Sequence, residues 1–179
     1  MLRQAVAADL DHIEKGYQEH FLHEREHGAF TVFREGVYPT CEDAKRALLA
    51  GTLFVCEEAG TLAGSIIVDT WQPDEYGKID WPSRAAAEKV MVIHLVIVRP
   101  GMAGKGIGSS LVNYALEIAK QRLCEAVRLD TGPQNIPAVS LYRKLGFELA
   151  GNTSMKVGGL IAHDGHLFFE KRLYYNCGE

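Results

Sequence analysis

The sequence has few of the features that mark membrane, secreted or nucleic-acid-binding proteins. No apolar stretch reaches the roughly 18 residues that a membrane-spanning helix requires, and the first residues lack the basic and apolar segments of a secretion signal. The formal net charge is −4 and no run of Lys or Arg is present, so a basic patch for phosphate contacts is missing. We therefore expect a cytoplasmic protein that binds neither a membrane nor nucleic acid.

The cysteines also lack the spacing of a functional site. None of them belongs to a CxxC pair or lies beside a His pair at the spacing of metal ligands, so we expect no metal site. An intracellular location further disfavours disulfides. We expect four reduced, mostly buried thiols, at Cys41, Cys56, Cys124 and Cys177.

The remaining composition is that of a globular protein. Hydrophobic residues make up 47% of the 179 residues, which suits a single domain spanning residues 1–179. Hydrophobic periodicity predicts a strand, two helices, three strands, a helix, a strand, a helix and two final strands, which is a mixed α/β fold. Two further features are a long loop at residues 71–88 and a turn expected at Asp164-Gly165 in the last strand pair.

A glycine-rich segment at residues 99–111, RPGMAGKGIGSSL, joins a predicted buried strand to a predicted helix. Glycines let backbone amides approach an anion closely. The first turn of a helix adds unpaired N–H groups and partial positive charge, which together favour a phosphate. A glycine-rich turn without any ligand remains an alternative at this point.

Two common phosphate-binding loops do not fit this segment. A nucleotide P-loop places Lys directly after the second Gly of GxxxxG, and Ile107 occupies that position after Gly106. A dinucleotide-binding loop requires GxGxxG, and Leu111 occupies the position of its last Gly.

The segment resembles motif A of the GNAT N-acetyltransferase superfamily. The matching residues are Val98-Arg99-Pro100 and the run Ala103-Gly104-Lys105-Gly106-Ile107-Gly108. Ala103 departs from the motif, which usually has Arg or Gln there. A second segment, NIPAVSLYRKLGF at residues 135–147, matches every marked position of the family's second signature, N-x-x-A-x-x-L/F-Y-x-K-x-G-F.

The resemblance implies a mostly antiparallel, twisted sheet of six to seven strands with helices on both faces. It also implies that the chain binds acetyl-CoA as acyl donor. The implied contacts are the backbone of the central strand, the glycine loop with the start of its helix, and the amide of the second signature: Val96, Ile97, Val98, Ala103, Gly104, Lys105, Gly106, Ile107, Gly108, Ser109 and Asn135. Asn135 is independently a good helix N-cap.

The same resemblance implies transfer of an acetyl group to a primary amine. Tyr142 matches the family's general acid, although its spacing alone favours a core aromatic. Asp130 matches the position of a glutamate base in bacterial ribosomal-protein alanine acetyltransferases, and its alternative role is a carboxylate bonded to the following turn. His94, within an apolar run, is more typical of a buried core histidine.

We expect an enzyme whose acceptor is a small-molecule amine or a peptide N-terminus, with a homodimer possible. Aromatic residues on the long loop, Trp71, Tyr76 and Trp81, are expected to border the acceptor, or else to form a separate hydrophobic cluster. The alternative function is a noncatalytic acyl-CoA sensor or interaction module of the same fold.

Overall fold

One sheet of seven strands forms the centre of the protein in a computed structural model, which describes residues 1–175. The strands are β1 Leu2–Gln4, β2 Leu53–Glu58, β3 Thr61–Asp69, β4 Val90–Val98, β5 Ala126–Thr131, β6 Glu148–Val157 and β7 Ile161–Arg172. Their order across the sheet is β1-β2-β3-β4-β5-β7-β6. Every neighbouring pair is antiparallel except β4 and β5, which are parallel. The mixed, mostly antiparallel sheet expected from the sequence is thus confirmed.

Helices cover both faces of this sheet. They are α1 Leu10–His27, α2 Cys41–Leu49, α3 Ile107–Gln121 and α4 Ile136–Lys144. Successive residues of β2 point to opposite faces: Leu53 and Val55 pack with α1 and α2, whereas Phe54 and Cys56 pack with α3. This alternation is what a strand buried on two faces requires. In the described part of the chain, no helix is long and apolar enough to cross a membrane.

Helix ends follow the signals in the sequence. Asp43 accepts a hydrogen bond of 2.7 Å from the backbone N–H of Thr40, a capping interaction that marks the start of α2. After α4, Gly146 has φ +81°, the left-handed conformation that commonly ends a helix. Cys41, Cys56 and Cys124 are free thiols, and Cys177 lies outside the described residues.

The neighbouring strands β4 and β5 are paired over only part of their length. Their parallel pairing ends at Ile93 and Leu129, although β4 continues to Val98. Over residues 95–98, β4 pairs with β3 on one side, and no described strand pairs with its other side. A bulge between Ile67 and Val68 of β3 lies opposite His94, at the start of this separation. The sheet therefore opens into a gap that a ligand can enter.

The prediction of a turn at Asp164-Gly165 is wrong. The β6–β7 turn lies at residues 158–160, and Asp164 and Gly165 lie inside β7. There they form a β-bulge, because the pairs Met155–His163 and Thr153–His166 leave one extra residue on β7. Gly165 has φ +69°, so the Asp-Gly pair supplies the left-handed glycine that such a bulge needs.

The long loop at residues 71–88 folds onto the sheet. Tyr76 is 2% exposed and packs with Trp81 and Phe168, with ring centroids 5.2 and 5.4 Å from its own. Arg128 lies over the Trp81 ring at 4.2 Å. For Tyr76 and Trp81, the separate hydrophobic cluster is therefore the correct alternative, while Trp71 is largely exposed and lies 5.4 Å from the His94 ring.

Candidate functional site

A cavity of about 760 Å³ occupies the gap between β4 and β5. Its walls are the second half of β4, the end of β5, the glycine loop, the start of α4, and the end of α1 with the segment that follows it. Ala103 and Gly108 line it from the glycine loop, and Asn135 and Tyr142 line it from the α4 side. Both family-like segments thus meet at one cavity, although they are separated in the sequence.

The glycine loop presents a row of free backbone donors. No hydrogen bond within the described residues uses the N–H groups of residues 104–109, whereas the next N–H, of Ser110, donates to the carbonyl of Gly106 at 3.0 Å. Three of these groups belong to the first turn of α3, where helical geometry leaves N–H groups without a partner. The helix dipole adds partial positive charge at the same point. This arrangement fits a phosphate or pyrophosphate.

Two glycines hold the loop in this conformation. Gly104 and Gly106 both have φ +77°, which is a left-handed conformation that costs other residues energy. Gly108 has a different role: a Cβ at its position would lie 3.1 Å from Cδ2 of Leu141, so its absence lets α3 and α4 approach. Lys105 is exposed, with its Nζ 3.5 Å from the Met102 sulfur, and Ser109 is half-buried.

The open edge of β4 supplies further backbone groups. The N–H of Arg99 donates to the carbonyl of Ala63 in β3 at 2.9 Å, and N–H groups alternate in direction along a strand. The N–H of Ile97 therefore also points to β3, and those of Val96 and Val98 point into the gap. Of Val96, Ile97 and Val98, only Val96 and Val98 therefore direct a backbone N–H towards a ligand in the gap.

Tyr142 is buried against the cavity wall. Its ring packs with Phe147 and Phe169 at centroid distances of 5.9 and 6.2 Å. Burial, and secondarily the negative charge of Asp130, raise the pKa of its hydroxyl far above the usual value. Tyr142 is therefore a protonated donor over the physiological pH range.

Asn135 caps α4 and keeps a free amide group. Its Oδ1 accepts from the N–H of Ala138 at 3.3 Å, which is typical of an N-cap. Its Nδ2 has no partner among the described residues and lies at the cavity. The structure thus accommodates both the capping and the ligand-binding roles.

Asp130 lies at the end of β5 with both oxygens engaged. Oδ1 accepts from the hydroxyl of Tyr76 at 2.8 Å, and Oδ2 lies 2.9 Å from Nε2 of His166. Its partners come from the long loop and from β7 and not from the following turn, and its role as a base stays a prediction. His94 also lines the cavity and bonds to Oδ1 of Asp69 at 2.8 Å, so it is a satisfied but not fully buried histidine.

Several histidines at the cavity were not predicted as site residues. His20, His23 and His27 line it from one stripe of α1, and His166 lines it from β7. The α1 set has a sequence signal, since its spacing matches a helical stripe. His166 has no such local signal. Among residues 1–175, no group of three or more His, Cys, Asp or Glu is arranged to hold a metal ion.

The chain belongs to the acetyltransferase (GNAT) family, whose model matches residues 10–147. It is 37% identical over 95 residues to an uncharacterized N-acetyltransferase of Methanocaldococcus jannaschii, covering 53% of this chain and 38% of that protein. It is 37% identical over 79 residues to a streptothricin acetyltransferase of Escherichia coli, covering 42% of each. The matches therefore span less than half of these relatives.

Solved structures share the fold over nearly the full length. A GNAT-family acetyltransferase of Streptococcus agalactiae has a TM-score of 0.80 at 21% identity, covering 98% of this chain and 96% of that one. A Salmonella typhimurium structure with acetyl-CoA has a TM-score of 0.70 at 19% identity, covering 100% and 96%. At such identities the likeness shows the fold alone, and it confirms the fold class expected from the sequence.

Proposed function

We propose that the chain is an N-acetyltransferase that transfers the acetyl group of acetyl-CoA to a primary amine by direct attack within a ternary complex. One observation carries this proposal: the glycine loop, whose N–H groups at residues 104–109 are free, borders through Ala103 and Gly108 the cavity that the protonated phenol of Tyr142 also lines. The loop suits a substrate that carries phosphate groups. The phenol can supply a proton to a leaving group that becomes negatively charged.

The residues present fit acetyl-CoA. We assign the pyrophosphate to the N–H groups of residues 104–109, with Lys105 adding a nearby positive charge and Ala103 forming part of the wall. Asn135 Nδ2 and the open edge of β4 over residues 96–98 would bind the amide-bearing arm that links pyrophosphate to sulfur. When bound, this substrate supplies the activated acetyl group.

Two charges develop during the transfer, and the cavity has a group for each. The acetyl oxygen becomes negative, and a backbone donor such as the N–H of Val96 or Val98 would stabilise it, which is typically worth about 10²–10³ in rate. The leaving thiolate needs a proton. Tyr142 is our general acid because its phenol is protonated and faces the cavity.

The amine must also lose a proton before it attacks. A lysine-like amine costs about 4–5 kcal/mol to deprotonate at pH 7, from its reference pKa near 10.4. Asp130 is the carboxylate that lines the cavity among the described residues. We place the amine on this side, opposite the glycine loop, with Asp130 contributing to proton removal.

The acceptor is proposed to be a small-molecule amine, with a peptide N-terminus as the second kind. Relatives named streptothricin acetyltransferase and mycothiol acetyltransferase support the first kind. The mycothiol acetyltransferase of Saccharomonospora viridis is 39% identical over 67 residues, covering 37% of this chain and 22% of that protein. A cytoplasmic location and a homodimer remain predictions.

The direct test is thiol release from acetyl-CoA in the presence of a panel of amines, with product acetylation followed by mass spectrometry. We expect at least one small amine to accelerate release and to gain one acetyl group. Binding of acetyl-CoA without acceleration by any amine would refute the enzyme and favour a noncatalytic acyl-CoA sensor.

A Tyr142→Phe variant tests the acid. We expect kcat to fall by about 10²–10⁴-fold, the usual range for a general acid, while the affinity for acetyl-CoA stays near wild type because the ring packing is kept. Tyr114→Phe is the matched control, since Tyr114 packs on Phe54 outside the cavity. Equal losses of kcat and of affinity in Tyr142→Phe would indicate a packing role instead.

A further inference from the structure

Three side chains form a hydrogen-bonded chain from the cavity towards solvent. Oδ2 of Asp130 lies 2.9 Å from Nε2 of His166, and Nδ1 of His166 lies 3.0 Å from Nδ1 of His163. His166 is 1% exposed, whereas His163 is only half-buried. A carboxylate at the cavity is thus connected through a buried imidazole to an imidazole that reaches water.

We propose that His163 accepts, through a water molecule, the proton that the acceptor amine loses, and that Asp130 and His166 position it. This inference rests on the proposed acetyl transfer and names the base for that reaction. Neither histidine belongs to the two family-like segments, and the family model ends at residue 147.

The hydrogen-bond pattern determines which atom is basic. Ionised Asp130 only accepts hydrogen bonds, so Nε2 of His166 carries a hydrogen. In a neutral His166, Nδ1 then has the lone pair and accepts the N–H at Nδ1 of His163. Nε2 of His163 is left with a lone pair, and it is the one nitrogen of the pair that is free to take up a proton.

The bulge in β7 brings the two histidines together. Residues three apart in a regular strand point to opposite faces, and the extra residue at Asp164-Gly165 corrects this so that His163 and His166 share a face. The resulting position of His163 is close to the cavity. A Cβ placed on Gly132, which lines the cavity, would lie 3.9 Å from Cε1 of His163.

The charges around the pair suit a neutral base near pH 7. Burial and the adjacent His166 lower the pKa of His163, and Asp164 partly opposes this. Beyond His166, Asp130 supplies the negative charge that stabilises an imidazolium. An imidazole with a reference pKa near 6.5 holds a proton about 10²–10³ times better than a carboxylate near 3.9.

Two buried phenols lie near Asp130. Tyr76 donates to Oδ1, and burial raises the pKa of Tyr76 well above the usual value, with Asp130 as the next cause. Burial also raises the pKa of Tyr38, to which Asp130 contributes. Both phenols are therefore neutral neighbours, and they add no competing negative charge beside the relay.

The proton balance of the step is simple. One N–H bond of the ammonium breaks, a water passes the proton on, and an N–H bond forms at Nε2 of His163. The freed amine lone pair then attacks the thioester carbonyl. Tyr142 gives its proton to the leaving thiolate, and the second proton that the nitrogen loses on forming the amide restores the phenol. The imidazolium returns its proton to bulk water through its exposed side, so no other reactant is needed.

The test uses His163→Asn, which keeps a side-chain donor near the position of Nδ1 but has no group that titrates. Rates of thiol release are measured from about pH 5.5 to 9.5 with two acceptors, one of high pKa and one already neutral at pH 7. We expect kcat/KM for the high-pKa amine to fall at least tenfold near pH 7, and less than threefold for the neutral amine. The fall should shrink as pH approaches the pKa of the amine.

Two further variants complete the design. His12→Asn is the matched control, because His12 is exposed on α1 outside the cavity. His163→Ala leaves space at a half-buried position, and added imidazole is expected to restore activity with the high-pKa amine. Thermal unfolding and acetyl-CoA affinity should match wild type in every variant. If His163→Asn misfolds, the rescue of His163→Ala by imidazole decides whether His163 acts as the base.

The outcomes separate this inference from the function on which it rests. Equal losses for both amines at every pH, or no rescue by imidazole, would overturn the relay while leaving the wild-type enzyme active. Failure of the wild-type protein to acetylate any amine would instead overturn the proposed function, and the relay would fall with it.

Discussion

Gly106 is the residue at which the anion site can be tested most sharply. Its φ of +77° lies in the left-handed region, and a Cβ there would meet no atom within 4 Å. The whole cost of Gly106→Ala is therefore conformational, about 1–2 kcal/mol. Gly101→Ala is the matched control in the same loop, because Gly101 has no positive φ and equally open surroundings.

This cost must appear in one of two measurable quantities. If the free loop keeps its conformation in Gly106→Ala, the free energy of unfolding falls by the full amount. If the free loop relaxes, the strain returns when acetyl-CoA draws the N–H groups back together, and the dissociation constant rises by about 5- to 30-fold. In either case the losses of stability and of binding sum to about 1–2 kcal/mol.

The assays are urea denaturation of the free protein and calorimetric titration with acetyl-CoA. We expect Gly101→Ala to leave both unchanged within experimental error. A Gly106→Ala protein that loses neither stability nor affinity would show that the left-handed conformation is not needed. Equal effects in both variants would show that loop bulk, and not the conformation of Gly106, is what matters.

Two ion pairs are expected to contribute measurably to the free energy of unfolding. Arg3 lowers the pKa of Asp9 through hydrogen bonds of 2.7 and 2.9 Å, so their pairing stabilises the fold above the unfolded pKa near 3.9 and is lost as pH falls through the lower folded value. Asp9→Asn should cost about 1–3 kcal/mol at pH 7, and this cost should shrink as pH falls below the unfolded pKa near 3.9; a loss that does not depend on pH would contradict this. Glu170 is 1% exposed and lies 2.8 Å from Nε of Arg128. Glu170→Gln should lower the free energy of unfolding by about 3–5 kcal/mol, because the buried cation is left without its negative partner. Guanidinium denaturation measures both, and a loss below 1 kcal/mol at Glu170 would show that the other partners of Arg128, such as Gln72, make up for the lost charge.

Strong local patterns predicted most of the fold. The apolar run that forms β4 and the helical stripe that forms α1 can be recognised in the sequence, because each is long and its pattern is clear. The Asp164-Gly165 turn was wrong for a specific reason. A glycine with positive φ serves both a hairpin turn and a β-bulge, and the sequence does not separate the two.

The same ambiguity hid part of the site. A two-residue turn at Asp164-Gly165 would also pair His163 with His166, but it would place them at the tip of a hairpin and not inside the sheet beside Asp130. The contact of His166 with Asp130 further depends on β7 inserting between β5 and β6, which is a long-range pairing. The glycine loop and Asn135, by contrast, belong to contiguous segments whose residues act together locally, and this is why the sequence located them.

The gap between β4 and β5 has a consequence for the dynamics of the sheet. A ligand that bonds to the open edge of β4 acts as a missing strand, and it should slow the exchange of the amide hydrogens of Val96 and Val98 with solvent. Exchange at Ile97 should change less, because its N–H is already paired with β3. A ligand at 100 times its dissociation constant also adds about 2.7 kcal/mol to global stability. The alternating pattern of protection along one strand would distinguish direct bonding from this general effect.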